Sequence, residues 1–341
     1  MIPCPVRPAQ PEDWRRAFRD AIDDPLVLLR HLDLAHLAAR LPGSDHTFPL
    51  RVPRGFVARM RRGDADDPLL RQVLPLDEEF RPQPGFIADP VGDVAARGAL
   101  GVLHKYRGRV LLLATGSCAV HCRYCFRRHF AYSDDIAAAA NWRGALDYLQ
   151  QHPDVDEVIL SGGDPLSLST AKLAALTDQL RALPQIRRLR IHTRLPVVIP
   201  ERVDDALEAW LRALPWRVTV VLHVNHAREF DPALVDACAR LRQTGVWLLN
   251  QSVLLAGVND SVEALVELSQ ALGDAGVLPY YLHLLDRVAG AAHFEVERDA
   301  AIALHEAARA ALPGYLLPRL VREIEGEPSK TPIWDPAHGQ R

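Results

Sequence analysis

Residues 115–130 read TGSCAVHCRYCFRRHF and bring Cys118, Cys122 and Cys125 into a span of eight positions, in a chain with five cysteines in all. Three thiols at CxxxCxxC spacing suit metal or redox chemistry. Cys122 and Cys125 alone could cycle as a dithiol, but that leaves Cys118 without a task. With His121 or His129 as a fourth ligand, the three could close around a structural zinc ion. Thiolates also hold iron–sulfur clusters, usually four to a four-iron cube, so three would leave one iron open to a substrate or cofactor. The remaining cysteines, Cys4 and Cys238, have no neighbours that suggest a site.

A second reactive candidate is Lys330 of GEPSKTP. Only three of the 40 basic residues are lysine (Lys105, Lys172 and Lys330), so arginine fills nearly every cationic role in this chain. A Schiff base needs a primary amine, which arginine cannot supply.

Groups so far apart in sequence need a scaffold. From Arg109 onward, short apolar runs alternate with amphipathic stretches. RVLLLATG, DEVILSGGD, RRLRIHTR, RVTVVLHVNH, VWLLNQSVLL and LPYYLHLLD read as strands. DDIAAAANWRGALDYLQQ, LSTAKLAALTDQLRAL, VDDALEAWLRAL, DPALVDACARLRQTG and DSVEALVELSQALGDAG read as the helices between them, most with a capping Asp or Ser near the start. Such alternation predicts a parallel α/β array. Asp164, His192, His223, Asn225, His226, Gln251 and Asp286 fall at or just past the strand ends, where barrels and open α/β sheets build their sites. The first 100 residues read as a helical and irregular cover. The expected division is therefore 1–100 for this cover, 101–325 for the array and 326–341 for a C-terminal segment carrying Lys330.

A net charge of −3 across 341 residues carries no electrostatic sign of nucleic-acid or membrane-surface binding. The N-terminus lacks a basic region followed by an apolar one, and no run is long and apolar enough to span a bilayer. One tight cysteine cluster within an odd count does not look like a secreted disulfide framework, so the expected location is the reducing cytoplasm.

The cysteine motif, with Tyr124 just before its last member, is similar to that of the radical S-adenosylmethionine (SAM) enzymes. The resemblance implies a 4Fe–4S cluster on Cys118, Cys122 and Cys125, with SAM on the open iron. It also implies a partial (βα)6 TIM-type barrel. LSGGDPL at the second strand end matches the glycine-rich SAM-binding segment, which makes Gly162, Gly163 and Asp164 candidates for SAM, with His223 and Gln251 beside them.

Within that superfamily, FPLRVPRGFVARM, DDPLLRQVLP, HKYRGRVLLLATGSC, CRYCFRRHF, LSGGDPL, NQSVLLAGVND, PYYLHLLD and GEPSKTP, in this order, resemble the lysine 2,3-aminomutases. The resemblance is closest to the shorter subfamily that makes (R)-β-lysine from (S)-α-lysine for modification of elongation factor P. It implies pyridoxal phosphate (PLP) held by Lys330, with Lys105, Tyr106 and Arg109 around the PLP or its phosphate. Arg127 is implied to bind the substrate carboxylate, and Asp286 and Glu323 its distant ammonium. A reductant such as flavodoxin or ferredoxin, and a link to the enzyme that transfers the product to elongation factor P, are implied as partners.

The sequence departs from the family at several positions. Glu327, Pro328 and Ser329 precede the lysine where the family has glycines, Lys105 stands for an arginine, and Glu323 stands for an aspartate. Ser261 stands for a zinc-binding cysteine, so no zinc is expected. Open alternatives are an aminomutase for arginine or glutamate, a radical SAM enzyme without PLP, and a non-catalytic iron–sulfur interaction protein.

Overall fold

The computed structural model describes residues 11–43, 48–131 and 142–334. Cys4 and the alanine-rich start of the first expected array helix lie outside them.

Ten strands form one sheet whose spatial order is the sequence order: β1 (Arg97–Ala99), β2 (Val102–Tyr106), β3 (Arg109–Thr115), β4 (Glu157–Gly162), β5 (Arg188–Thr193), β6 (Arg217–Leu222), β7 (Trp247–Val253), β8 (Leu278–His283), β9 (Arg319–Arg322) and β10 (Thr331–Pro332). From β3 to β9 every neighbouring pair is parallel, while β1–β2, β2–β3 and β9–β10 are antiparallel. The two outermost strands do not pair with each other, so the barrel is partial, as the family resemblance implies. β3 to β8 are the six expected strands. The short β9 and the β1–β2 ribbon extend the sheet at its two ends.

The strands read as apolar runs because parallel strands covered by crossover helices are buried on both faces. The helices begin where capping residues place them. Ser169 accepts from the Lys172 amide, Asp204 from Leu207, Asp231 from Leu234 and Ser261 from Ala264. Ser261 therefore serves here as the N-cap of helix Val262–Asp274. In helix Thr170–Leu180 the residues facing the sheet are Leu173, Leu176 and Leu180, all buried, and each contributes about 1.5–3 kcal/mol by leaving water.

The N-terminal cover packs into the same apolar core as the barrel. Leu28, Val52, Phe56 and Leu69 belong to one continuous cluster with Leu112, Leu160 and Ile191 of the strands. Among the described residues no helix is long and apolar enough to cross a membrane.

Candidate active site

A cavity of about 430 Å³ opens inside the barrel, and every residue that the family resemblance assigns to the cluster, SAM, PLP or the substrate lines it. The motifs meet because each follows, or flanks, one end of a strand in the same sheet.

The cysteine loop leaves β3 at Thr115 and runs outside regular secondary structure. Two neighbouring segments hold it. On the barrel side, the Gly163 amide donates to Thr115 O at 2.6 Å and the Asp164 amide to Ser117 O at 2.8 Å. A side chain at Gly163 would put a Cβ 2.6 Å from Ser117 O, and Gly162 sits at φ +107° with its virtual Cβ 2.9 Å from Thr115 O. Glycine is required at both positions because the two backbones touch. From the cover side, the His121 amide donates to Arg51 O and the Arg123 amide to Gln72 O, both at 2.9 Å. Arg123 is fully buried and forks onto Glu79 (Nε–Oε1 2.8 Å), while Arg128 also reaches Glu79. A buried carboxylate between two guanidiniums is the case in which pairing compensates desolvation.

The imidazoles offered as a fourth zinc ligand are engaged elsewhere. His121 stacks on Phe48 and sets Nδ1 2.9 Å from Pro49 O, and His129 Nε2 lies 2.9 Å from Ala289 O. No disulfide joins Cys118, Cys122 and Cys125. Burial pushes the Cys118 thiol well up and the Cys125 thiol to about 11, so proton loss there requires a cationic partner. Cys118, Cys122 and Cys125 on the wall of one cavity fit a cluster.

The same cavity is lined by an array of charges. Asp93, 1% exposed, pairs through Oδ1 with Lys105 at 2.6 Å and through Oδ2 with Arg127 Nε at 2.6 Å. Burial raises its pKa, but Arg127 and Lys105 outweigh that and hold it below the usual carboxylate value. Arg127 Nη1 also donates to Ser161 Oγ at 3.3 Å. Lys105 directs its ammonium to Asp93, to Glu323 Oε1 at 3.0 Å and to Val91 O at 2.6 Å. Glu323 pairs in turn with Lys330. Burial opposes ionisation of Glu323, yet Lys330 and Lys105 draw its pKa down to about 2.

The meeting of Glu323 and Lys330 follows from register. β9 and β10 pair Arg322 with Thr331 and Val321 with Pro332, so the next two positions, Glu323 and Lys330, face each other across the mouth of a hairpin. Asp286, at the end of β8, is pushed to about 7 by burial and by the Glu323 charge, against Lys330, Lys105 and Arg322. Arg109 places its guanidinium 4.5 Å from the centre of the Tyr106 ring, and among the described residues no carboxylate pairs with it.

Sequence reasoning missed several lining residues. Asp93 stood in text read only as a cover. His283 was part of PYYLHLLD, but no role was assigned to it. His192 and His283 each carry a buried Nε2 without a protein partner, and burial keeps both rings neutral. His223, drawn down to about 3 by burial and then by Arg194 and Arg127, lies 3.0 Å from Gln251 through its Nε2. Unpartnered imidazole nitrogens on a cavity wall suit a polar ligand.

Two strand-end residues expected at the site are not on this wall. Asn225 is buried behind it, bonded to Tyr124, Gln72 and Val253, and His226 caps a turn through the Arg228 amide. Asp164 does line the cavity, but its carboxylate accepts from Leu166 N, Thr193 Oγ1, Arg194 N and Leu195 N at 2.7–3.0 Å. It ties β4 to β5 as a bracket.

A partial βα barrel with three loop cysteines at one end is the scaffold of a radical SAM enzyme, and residues 112–269 match the family model described as "Radical SAM superfamily". Along nearly its whole length the chain is similar to three proteins named L-lysine 2,3-aminomutase. The one from Escherichia coli K12 is 50% identical and that from Haemophilus influenzae 44%, each covering 94% of this chain, with 94% and 95% of those proteins covered. The Buchnera aphidicola protein is 40% identical over 97% of this chain and 98% of its own. The chain belongs to the L-lysine 2,3-aminomutase family, and is thus an isomerase of the radical SAM class. Membership implies SAM and a 4Fe–4S cluster, and the cavity's thiols and polar wall fit both.

Proposed function

We propose that this enzyme converts (S)-α-lysine to (R)-β-lysine with SAM, a 4Fe–4S cluster and PLP, and that the product serves modification of elongation factor P. One observation carries the reading: Cys118, Cys122, Cys125, Lys330, Arg127, Asp286 and Glu323 all line a single cavity.

Bound together, the reduced cluster and SAM supply a radical that removes hydrogen from the substrate, and PLP supplies a conjugated ring that spreads the unpaired electron. The chain's own residues bind and orient. Cys118, Cys122 and Cys125 hold the cluster. Gly162, Gly163 and Asp164 shape the backbone beside it, with His223 and Gln251 for SAM. Lys330 Nζ, positioned by its contact with Glu323, is the amine for PLP. Arg109, with Tyr106 under it, is the cation open to the phosphate dianion. Lys105 ties Asp93 to Glu323, and an anion reaching it must share it with them. Arg127, anchored by Asp93, is the partner for the α-carboxylate. Asp286 and Glu323 grip the distant ammonium, since such a charge needs partners when taken from water. The same acid pair would repel a glutamate side chain. Flavodoxin or ferredoxin is the expected electron donor.

The test is anaerobic incubation of reconstituted, reduced enzyme with SAM and each of lysine, arginine and glutamate, followed by chiral analysis. β-Lysine from lysine supports the reading, and conversion of arginine or glutamate instead would overturn the substrate. A strain lacking the enzyme should lose the elongation factor P modification.

A pH effect should accompany turnover. Below about 7 Asp286 is protonated and cannot pair with an ammonium, so kcat/KM for lysine should rise with pH up to about 7 and then level. Asp286→Asn should lower kcat/KM and flatten that limb. A limb unchanged in the variant would assign it to another group.

A further inference from the structure

Arg194 is the first residue after β5, 5% exposed, and its backbone amide is clamped by Asp164 Oδ2 at 2.7 Å. Its side chain turns toward the cysteine loop. Nη1 donates to Cys122 Sγ at 2.8 Å and to Tyr124 Oη at 2.7 Å, and Nη2 donates to Gln72 Oε1 at 2.6 Å and to Glu229 Oε2 at 3.0 Å. Glu229 is fully buried and is itself fixed by the Asn225 and His226 amides at 2.9 and 3.1 Å. Asn225 closes the network on Gln72 and Tyr124. The three thiols are therefore not equivalent. Cys122 accepts a hydrogen bond from a guanidinium, while Cys125 has the charges of Arg127 and Arg128 near it.

We infer that Arg194 acts through Cys122 to set the reduction potential of the cluster, with Glu229 moderating it. This rests on the cluster reading of the three cysteines. Reduction adds one electron to the cluster from a low-potential donor, dithionite in the assay, while the guanidinium keeps its proton. A cation hydrogen-bonded to a ligand sulfur in a poorly solvated site favours the more negative, reduced state and raises the potential. The buried carboxylate on the far side of the guanidinium opposes it. Arg194 is thus a positioning and tuning residue that need not touch substrate.

The test is a potentiometric titration of the anaerobically reconstituted full chain, followed by electron paramagnetic resonance, with iron and sulfide determined on each sample. Arg194→Gln should lower the reduced-to-oxidised ratio at a fixed potential about tenfold, equivalent to about 59 mV for one electron. Glu229→Gln should shift the midpoint the opposite way. Equal midpoints for wild type and Arg194→Gln at equal iron content would overturn the inference, as would shifts of the same sign in both variants. If Arg194→Gln does not hold a cluster, Glu229→Gln decides: an upward shift supports the role and an unchanged midpoint refutes it. A wild-type chain without a four-iron cluster would overturn the cluster reading and this inference with it.

Discussion

Lys330→Ala is expected to lose PLP almost completely on gel filtration, with turnover falling below detection, while iron and sulfide content stay at the wild-type level. The amine is the one group at this position that can join an aldehyde carbon, and alanine removes it without altering the cysteine loop. The cysteine loop is fixed by β4, by Glu79 and by the backbone of the N-terminal cover, none of which involves the tail. In the variant Glu323 keeps Lys105 as its cation at 3.0 Å, so no buried carboxylate is left unpaired. Absorbance spectra read both cofactors in one sample. Retained PLP absorbance would show that Lys330 is not its anchor, and a parallel loss of iron would point to general collapse.

Glu323→Gln should raise KM for lysine by roughly 30-fold or more. Removing one partner of a buried charge pair costs about 2–5 kcal/mol, or roughly 30-fold to several thousandfold in affinity. The amide keeps the shape of the carboxylate but abandons the Lys330 and Lys105 ammonium groups as well as that of the substrate. A second effect tests the geometry. Burial and the charge of Glu323 together hold Asp286 near 7, so deleting that charge should move the acid limb of kcat/KM to lower pH. An unchanged KM would remove Glu323 from the ammonium site. An unmoved limb would mean that the two carboxylates do not sense each other.

The chemical groups and the scaffold were legible in the sequence for different reasons. CxxxCxxC is local, so spacing alone restricts it to a few chemistries. The six central strands and the helices between them announce themselves by period and by capping residues, because each must bury an apolar face. β9 and the β1–β2 ribbon were less visible. Arg319–Arg322 is four residues long and gains its place only by pairing with β8 and β10. Strand-end position also proved an incomplete guide: Asn225 and His226 satisfy it, yet they support the wall from behind.

By itself the sequence determined which atoms are available, namely three thiols on one loop, an amine near the end of a chain poor in lysine, and a parallel α/β rhythm whose strand ends carry polar residues. Only the tertiary structure decided who partners whom. The Glu323–Lys330 pair depends on the β9–β10 register, the Lys105–Asp93–Arg127 bridge on where an irregular segment crosses the barrel mouth, and the Arg194–Cys122 contact on two loops over seventy residues apart. Such contacts have no period and no local signal. They arise because buried charges must find opposite charges once the core has fixed where the backbone goes.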